Sequence, residues 1–356
     1  MGNWRPILLK NALAFGTDDA ALSEVLNPLV RERFGNQARA SRVAAEQVER
    51  RLIRYTIQIA DAGDGASREW RIFGKLYGAR PQMERGYEMM QHLWANGFSC
   101  AATDRIGIPE PMRCLPDLCL LLMPEVQGAP LRHLIKDMRA TPDHMRLMAE
   151  ALAKLQRSPI IAKPPLSVEA QLSHCNPSPE VLAQAYPDLV AAIAEIMSRA
   201  RFIANDFGDK IYTLIHGDFH LGHALIDDRQ VWLLDFDQLN CGDPAYDVAE
   251  VFAFFKRSAK KTKMADYLAG LKDTFIANYF SRMGWEIAGR VPLYEALLHL
   301  KRACKCYRVQ DESGWEEQMR LLIAQAVTCL NVMEKQSGPF DFNKAAALYR
   351  NCPGIA

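Results

Sequence analysis

The sequence predicts an α+β fold in two parts: a small sheet-rich part over residues 1–124 and a larger, mainly helical part over residues 125–356. Three observations carry this reading. Leu52-Ile53-Arg54-Tyr55-Thr56-Ile57-Gln58-Ile59 alternates apolar and polar side chains with the period of a strand, and Trp70 to Tyr77 answers it beyond a turn at Ala62 to Ser67, so a hairpin forms whose second strand carries Lys75. After about residue 125 the pattern turns helical. One β-rich island, 211–237, interrupts that helical half.

The remaining elements follow from local signals. Residues 18–34 read as a helix with Thr17 as N-cap, Asp18 and Asp19 in the first turn, and Leu22, Val25, Leu26 and Leu29 along one face. Residues 82–95 suit a helix and Cys119 to Met123 a strand. Thr141-Pro142 is an N-cap and N1 pair opening a helix to about Arg157, and Ser178-Pro179-Glu180 opens another. Three further helical segments fill 262–335, interrupted near Gly284 and Gly314.

Composition excludes several classes. Charged residues make up 24% and the formal net charge is +1, so no overall field draws the chain to nucleic acid or to an anionic membrane. No apolar run approaches the roughly 18–20 residues that span a bilayer; the longest, Leu118 to Met123, is strand length. Met1 to Pro6 lacks the layout of a secretory signal, and Pro6 stands where a myristoylation motif wants Ser or Thr. Nine cysteines without paired spacing suit a reducing compartment, so a cytoplasmic protein is expected. Cys304-x-Cys306 with His299 offers three metal ligands but no fourth, and core thiols on a helix are the plainer reading.

The island carries the chemistry. It runs Leu214-Ile215-His216-Gly217-Asp218-Phe219-His220-Leu221-Gly222-His223, then a turn at Asp227-Asp228, a strand Val231 to Leu234, and Asp235-Phe236-Asp237. Asp218 and Asp235 stand 17 residues apart at the ends of apolar strands joined by a short turn. Phosphoryl transfer needs one carboxylate to orient the attacking hydroxyl and another to hold the cation on the phosphates. Two carboxylates in one pocket also call for a metal or a lysine beside them.

These blocks, with Gly242-Asp243-Pro244-Ala245-Tyr246-Asp247-Val248-Ala249 downstream, resemble the aminoglycoside phosphotransferase/choline kinase family, whose members share a protein-kinase-like bilobal fold. The resemblance covers roughly residues 40–255 and implies ATP and Mg²⁺ as cofactors, with ATP in the cleft of such a fold. It gives Asp218 the acceptor hydroxyl and His216 a role in the catalytic loop 214–226. Asp235 and Asp237 become metal ligands, and Lys75 holds the α- and β-phosphates with Glu88, or Glu84 one turn earlier, as its partner. Met123, Pro124, Glu125 and Val126 become the hinge, with the Pro124 carbonyl and the Val126 N–H toward adenine. In the downstream block Asp243 can cap a helix and Pro244 can sit at its N1 position.

Two departures bear on the outcome. His223 stands where the family has a magnesium-binding Asn, and Mg²⁺ prefers oxygen ligands, so a weak nucleotide-binding regulator is the alternative. No glycine lies between 40 and 52, and a Walker P-loop is absent around Lys75. His216, His220 and His223 with the aspartates also form the pattern of a metal hydrolase, which leaves Lys75 and the third block unexplained. Lys256, Arg257, Lys260, Lys261 and Lys263 form a basic run, either a solvated face or a docking patch for an anionic acceptor. The C-terminal tail lacks the acidic cluster that a polycationic acceptor wants. The expected acceptor is therefore a hydroxylated metabolite, sugar, amino alcohol or glycan precursor.

Overall fold

A computed structural model describes residues 4–15, 22–60, 67–159, 164–206, 212–227, 230–258, 264–310 and 313–334. The chain divides into two compact units, residues 1–128 with 227–237, and residues 129–226 with 238–356. The first boundary thus falls at Gly128 rather than 124, and the 235–237 motif packs with the N-terminal unit.

The first unit is built on an antiparallel sheet of β1 (Arg39–Glu49), β2 (Leu52–Ala60), β3 (Ser67–Leu76), β5 (Arg113–Leu115) and β6 (Leu120–Pro124), in the order β1-β2-β3-β6-β5. The short β4 (Ile106–Gly107) pairs in parallel with the strand Val231–Leu233 of the same unit. Period-two patterning sets which face of β2 is covered: Ile53, Tyr55, Ile57 and Ile59 are buried while the residues between them are half-buried. The helices Trp4–Ala14 and Asn27–Phe34 supply the cover, with Phe15 edge-on to Tyr55 and Phe34 edge-on to Trp70. Tyr55 also donates its hydroxyl to the Ala12 carbonyl at 2.6 Å. The helix expected over 18–34 is described from Leu22 onward, and its Thr17 to Asp19 start lies outside the described residues.

Register places Lys75. It lies opposite Leu52 on β2 and Leu121 on β6, near the end of β3. The following helix, Arg80–Leu93, buries Met83, Gly86, Met89, Met90 and Leu93 at helical spacing.

In the second unit Thr141 caps the helix Pro142–Arg157 through a reciprocal bond pair with His144. The later helices Ala265–Met283, Val291–Val309 and Trp315–Glu334 break where expected, at Gly284 and Gly314, both at positive φ. The helix Ala245–Ser258 is buried at every position from Ala245 to Ala253. Two short antiparallel ladders frame the catalytic loop: Thr213–Ile215 pairs with Asn240–Gly242, and Ala224–Ile226 pairs with Ala129–Pro130. No helix among the described residues is long and apolar enough to cross a membrane.

Tyr55→Phe removes the donor to the Ala12 carbonyl inside the core and is expected to lower unfolding free energy by about 1–3 kcal/mol. Urea denaturation measures it; an unchanged midpoint would show that the carbonyl finds another donor.

Candidate active site

In the second unit the ladder between Thr213–Ile215 and Asn240–Gly242 brings two sequence blocks side by side. The loop 216–223 leaves one strand, and Gly242-Asp243-Pro244 leaves the other to start the buried helix. Asp243 accepts the Ala245 amide at 2.9 Å, which is the cap expected of it, and is gripped on both oxygens by Arg290 at 2.7 and 3.2 Å. One turn into that helix Asp247 reaches back to the loop. Its carboxylate accepts the backbone amides of His216 at 2.9 Å and Gly217 at 3.0 Å, and the side-chain amide of Gln156 at 3.1 Å. Gln156 also donates to the Pro244 carbonyl at 3.1 Å and accepts from the Tyr279 hydroxyl.

This brace fixes Asp218. Gly217 has φ +77, and a Cβ there would lie 2.3 Å from the Gln238 carbonyl oxygen, so only glycine fits. Phe219 and Leu221 are buried and anchor the loop, while Asp218 and His220, which alternate with them, remain half-buried. Burial pushes the Asp247 carboxyl up to about 7, against the three N–H donors that pull it down. Asp247 and Gln156 were not among the sequence-derived site residues. The Gly-Asp-Pro-x-x-Asp spacing signalled Asp247, but nothing local signals Gln156.

Burial defines the role of His216 in the loop. Its ring is fully enclosed, edge-on to Phe219 and stacked with His223 at a centroid distance of 5.8 Å. A wholly enclosed ring does not meet a substrate, so His216 is a positioning residue, acting through packing and its amide.

Asp218, His220 and His223 each bring a potential ligand atom within 4.8 Å of the others. Hydrogen bonds set the tautomers. The Gly222 amide donates to Nδ1 of His220 at 3.0 Å, so a neutral His220 carries its proton on Nε2. The Asp218 carbonyl accepts from Nδ1 of His223 at 2.9 Å, which leaves the lone pair of that ring on Nε2. Nδ1 of His220 is thereby occupied by the Gly222 amide and has no electron pair left for a metal. A three-ligand hydrolytic metal centre does not fit. His299, Cys304 and Cys306 form no metal cluster among the described residues.

In the first unit Lys75 and the 235–237 motif meet, although they are 160 residues apart in sequence. The Lys75 ammonium bonds Oδ1 of Asp235 at 2.8 Å and Oδ1 of Asp237 at 2.6 Å. Asp235 holds a left-handed backbone, φ +64, which is uncommon outside glycine and clusters at functional sites. The ammonium also lies 5.1 Å from the centre of the Tyr77 ring. Gly86 permits this, because a Cβ there would meet the Tyr77 hydroxyl oxygen at 2.5 Å. Burial, reinforced by the charge of Asp237, raises the Tyr77 hydroxyl far above the usual phenol range, so it stays neutral.

The expected glutamate partner of Lys75 is not found. Glu88 is exposed, and Glu84 pairs with Arg80 at 2.7 Å, four residues before it. The two aspartates take their place at Lys75. At the hinge, Met123 and Pro124 pair with Phe73 and Ile72. The Glu125 amide donates to the Arg71 carbonyl at 3.1 Å, and its carboxylate lies 3.4 Å from Arg54 and 3.8 Å from Arg71. Glu125 is thereby tied into the sheet, and Val126 follows it.

Asp218 also lines a cavity of about 880 Å³ within the second unit, beside His220, Glu250 and Arg302. Of the basic run, Lys256 pairs with Glu295 at 2.9 Å and Arg257 lines this cavity, while Lys260, Lys261 and Lys263 lie outside the described residues. The C-terminal tail beyond 334 also lies outside them.

The sequence model of the phosphotransferase enzyme family matches residues 39–285. Among solved structures, similarity extends to a thermostable mutant of aminoglycoside phosphotransferase APH(4)-Ia in ternary complex with AMP-PNP and hygromycin B, at 17% identity and a TM-score of 0.54, over 88% of this chain and 99% of that one. A choline/ethanolamine kinase family protein from Mesorhizobium loti matches at 14% identity and a TM-score of 0.52, over 92% and 99% of the two chains. Choline kinase from Cryptosporidium parvum Iowa II matches at 11% and 0.54, over 88% and 97%. Likeness at these identities is one of fold, and the fold is protein-kinase-like. No curated protein matches the chain in sequence.

Two substitutions test the brace. Gly217→Ala is expected to abolish activity with the fold retained, checked by turnover beside circular dichroism. Asp247→Asn sets a donor against a backbone amide and is expected to cost about 1–3 kcal/mol. The pH dependence is separate: the folded Asp247 keeps its proton up to about pH 7, whereas the unfolded chain releases it near the ordinary aspartate value of 3.8. Stability therefore declines as pH rises between those values. Urea midpoints across that range should fall less steeply in Asp247→Asn than in wild type; parallel slopes would refute the assignment.

Proposed function

Since the chain belongs to the phosphotransferase enzyme family, we propose that it transfers the γ-phosphate of ATP to a hydroxyl of a small-molecule acceptor such as a sugar, an amino alcohol or another metabolite. The single observation that carries this reading is the meeting of Lys75 with Asp235 and Asp237. One ammonium between two carboxylates leaves a net negative charge that suits a divalent cation. Two aspartates offer the oxygen donors that Mg²⁺ prefers, whereas His223 offers nitrogen. Asp235 and Asp237 would hold the ion, which would supply neutralisation of the charge that develops on the phosphates.

The residues of the chain do the rest. Lys75 binds the phosphates, kept in place by the Tyr77 ring. Asp218 accepts a hydrogen bond from the acceptor hydroxyl, aligning its oxygen for in-line attack and taking its proton as the bond to phosphorus forms. Asp247 keeps the Asp218 loop in one conformation, so that little reorganisation accompanies the reaction. Residues 123–126 offer backbone groups to the adenine edge. ATP as donor gains support from the AMP-PNP held by the APH(4)-Ia structure.

Asp218→Ala is expected to lower kcat by about 10²–10⁴ with little change in AMP-PNP affinity, and Lys75→Ala to weaken nucleotide binding. ATP consumption against a panel of sugars and amino alcohols, with calorimetric titration of AMP-PNP, reads both. Equal, negligible turnover in wild type and Asp218→Ala, with AMP-PNP still bound, would identify a regulator instead.

A further inference from the structure

We propose that the acceptor is an anion, a small hydroxylated compound bearing a phosphate or carboxylate group, gripped by the cationic wall of the cavity that Asp218 lines. The proposal rests on the phosphotransferase reading and names the substrate class for that site. The cavity measures about 880 Å³, within the roughly 300–1,000 Å³ usual for small-molecule pockets.

Its lining is strongly one-sided in charge. Lys301, Lys305 and Arg308 come from the helix Val291–Val309 at spacings of four and three, which sets them in one stripe. The helix Leu131–Lys136 adds Arg132 and Lys136, and the buried helix adds Arg257 near its end. The Arg132 amide donates to the Leu221 carbonyl at 3.0 Å, which sets this side chain against the catalytic loop. Among the described residues two carboxylates line the cavity, and one of them, Glu250, is already paired with Arg302 at 2.6 Å. Among the described residues, none of these six cations forms an ion pair with an acidic side chain.

A stripe of lysines on a helix is most often a solvated face. Here the stripe lines a concavity together with the aspartate that receives the hydroxyl, and other elements contribute cations to the same space. Like charges one turn apart repel each other, and a bound anion relieves that repulsion. Arg257 reflects the crowding: burial and then the charge of Arg302 lower it to about 10. A polycationic acceptor meets the opposite field and is disfavoured.

The test uses wild type saturated with AMP-PNP and Mg²⁺, so that added anions do not report on the nucleotide site. Calorimetric titrations with inorganic phosphate, glucose 6-phosphate, 3-phosphoglycerate, glucose, choline and hygromycin B compare anionic, neutral and cationic probes. The phosphate- or carboxylate-bearing probes are expected to bind, with affinity falling as salt rises. In Lys301→Gln/Lys305→Gln, two exposed positions that tolerate the change, affinity should drop about tenfold or more per cation while AMP-PNP binds as before. Three results would overturn the proposal: no anion binding, preference for glucose, choline or hygromycin B, or a double variant that loses AMP-PNP instead of the anion. ATP consumption is read separately. Anion binding without turnover of any probe counts against the kinase reading, and with it the acceptor role, and leaves the cavity an anion site only; turnover of choline or hygromycin B upholds the kinase reading and overturns the anionic acceptor.

Discussion

The buried Asp247 carboxyl and the two backbone amides that donate to it are the contact on which the loop 216–223 depends. A carboxylate with no solvent access is expensive, and the cost is offset only while its acceptor sites are filled. Here the His216 and Gly217 amides and the Gln156 side chain fill them, and Gln156 is itself held by Tyr279. The arrangement works in both directions. The amides make the burial of Asp247 tolerable, and Asp247 fixes a turn that only glycine can make. Asp218, the next residue, inherits its direction from that turn.

Charge is distributed differently in the two units. In the first, Lys75 faces two aspartates and the balance is negative, which suits a divalent cation with its phosphates. In the second, the cavity beside Asp218 is dominated by arginine and lysine. Neither imbalance shows in the formal net charge of +1, which sums 43 basic and 42 acidic residues over the whole chain. Phosphoryl transfer makes little demand on covalent chemistry by the protein, so prearranged fields of this kind are what a fold can contribute.

Much of the fold was legible in local sequence because local physics decides it. Alternation gave β2 its buried face, Thr141 its cap, and Gly284 and Gly314 the ends of helices. The three motif blocks were legible because each has a backbone requirement: a glycine at positive φ, an aspartate at a strand end, a cap before a proline. Other readings failed for want of the third dimension. Glu88 has the right helical spacing to reach Lys75, yet it is exposed and the aspartates hold the lysine. The basic run after Lys256 drew attention, while the cationic stripe of the cavity lay unnoticed at Lys301, Lys305 and Arg308.

The sequence by itself thus determined the kind of fold, the order of its elements and the residue types that the chemistry uses, since these depend on periodicity, caps and backbone freedom within a few residues. The tertiary structure alone decided which charge meets which: that Lys75 finds Asp235 and Asp237, that Gln156 supports Asp247, and that three helices turn their cations toward one cavity. Electrostatic and hydrogen-bonded contacts act over a few ångströms in space, and no distance along the chain specifies them.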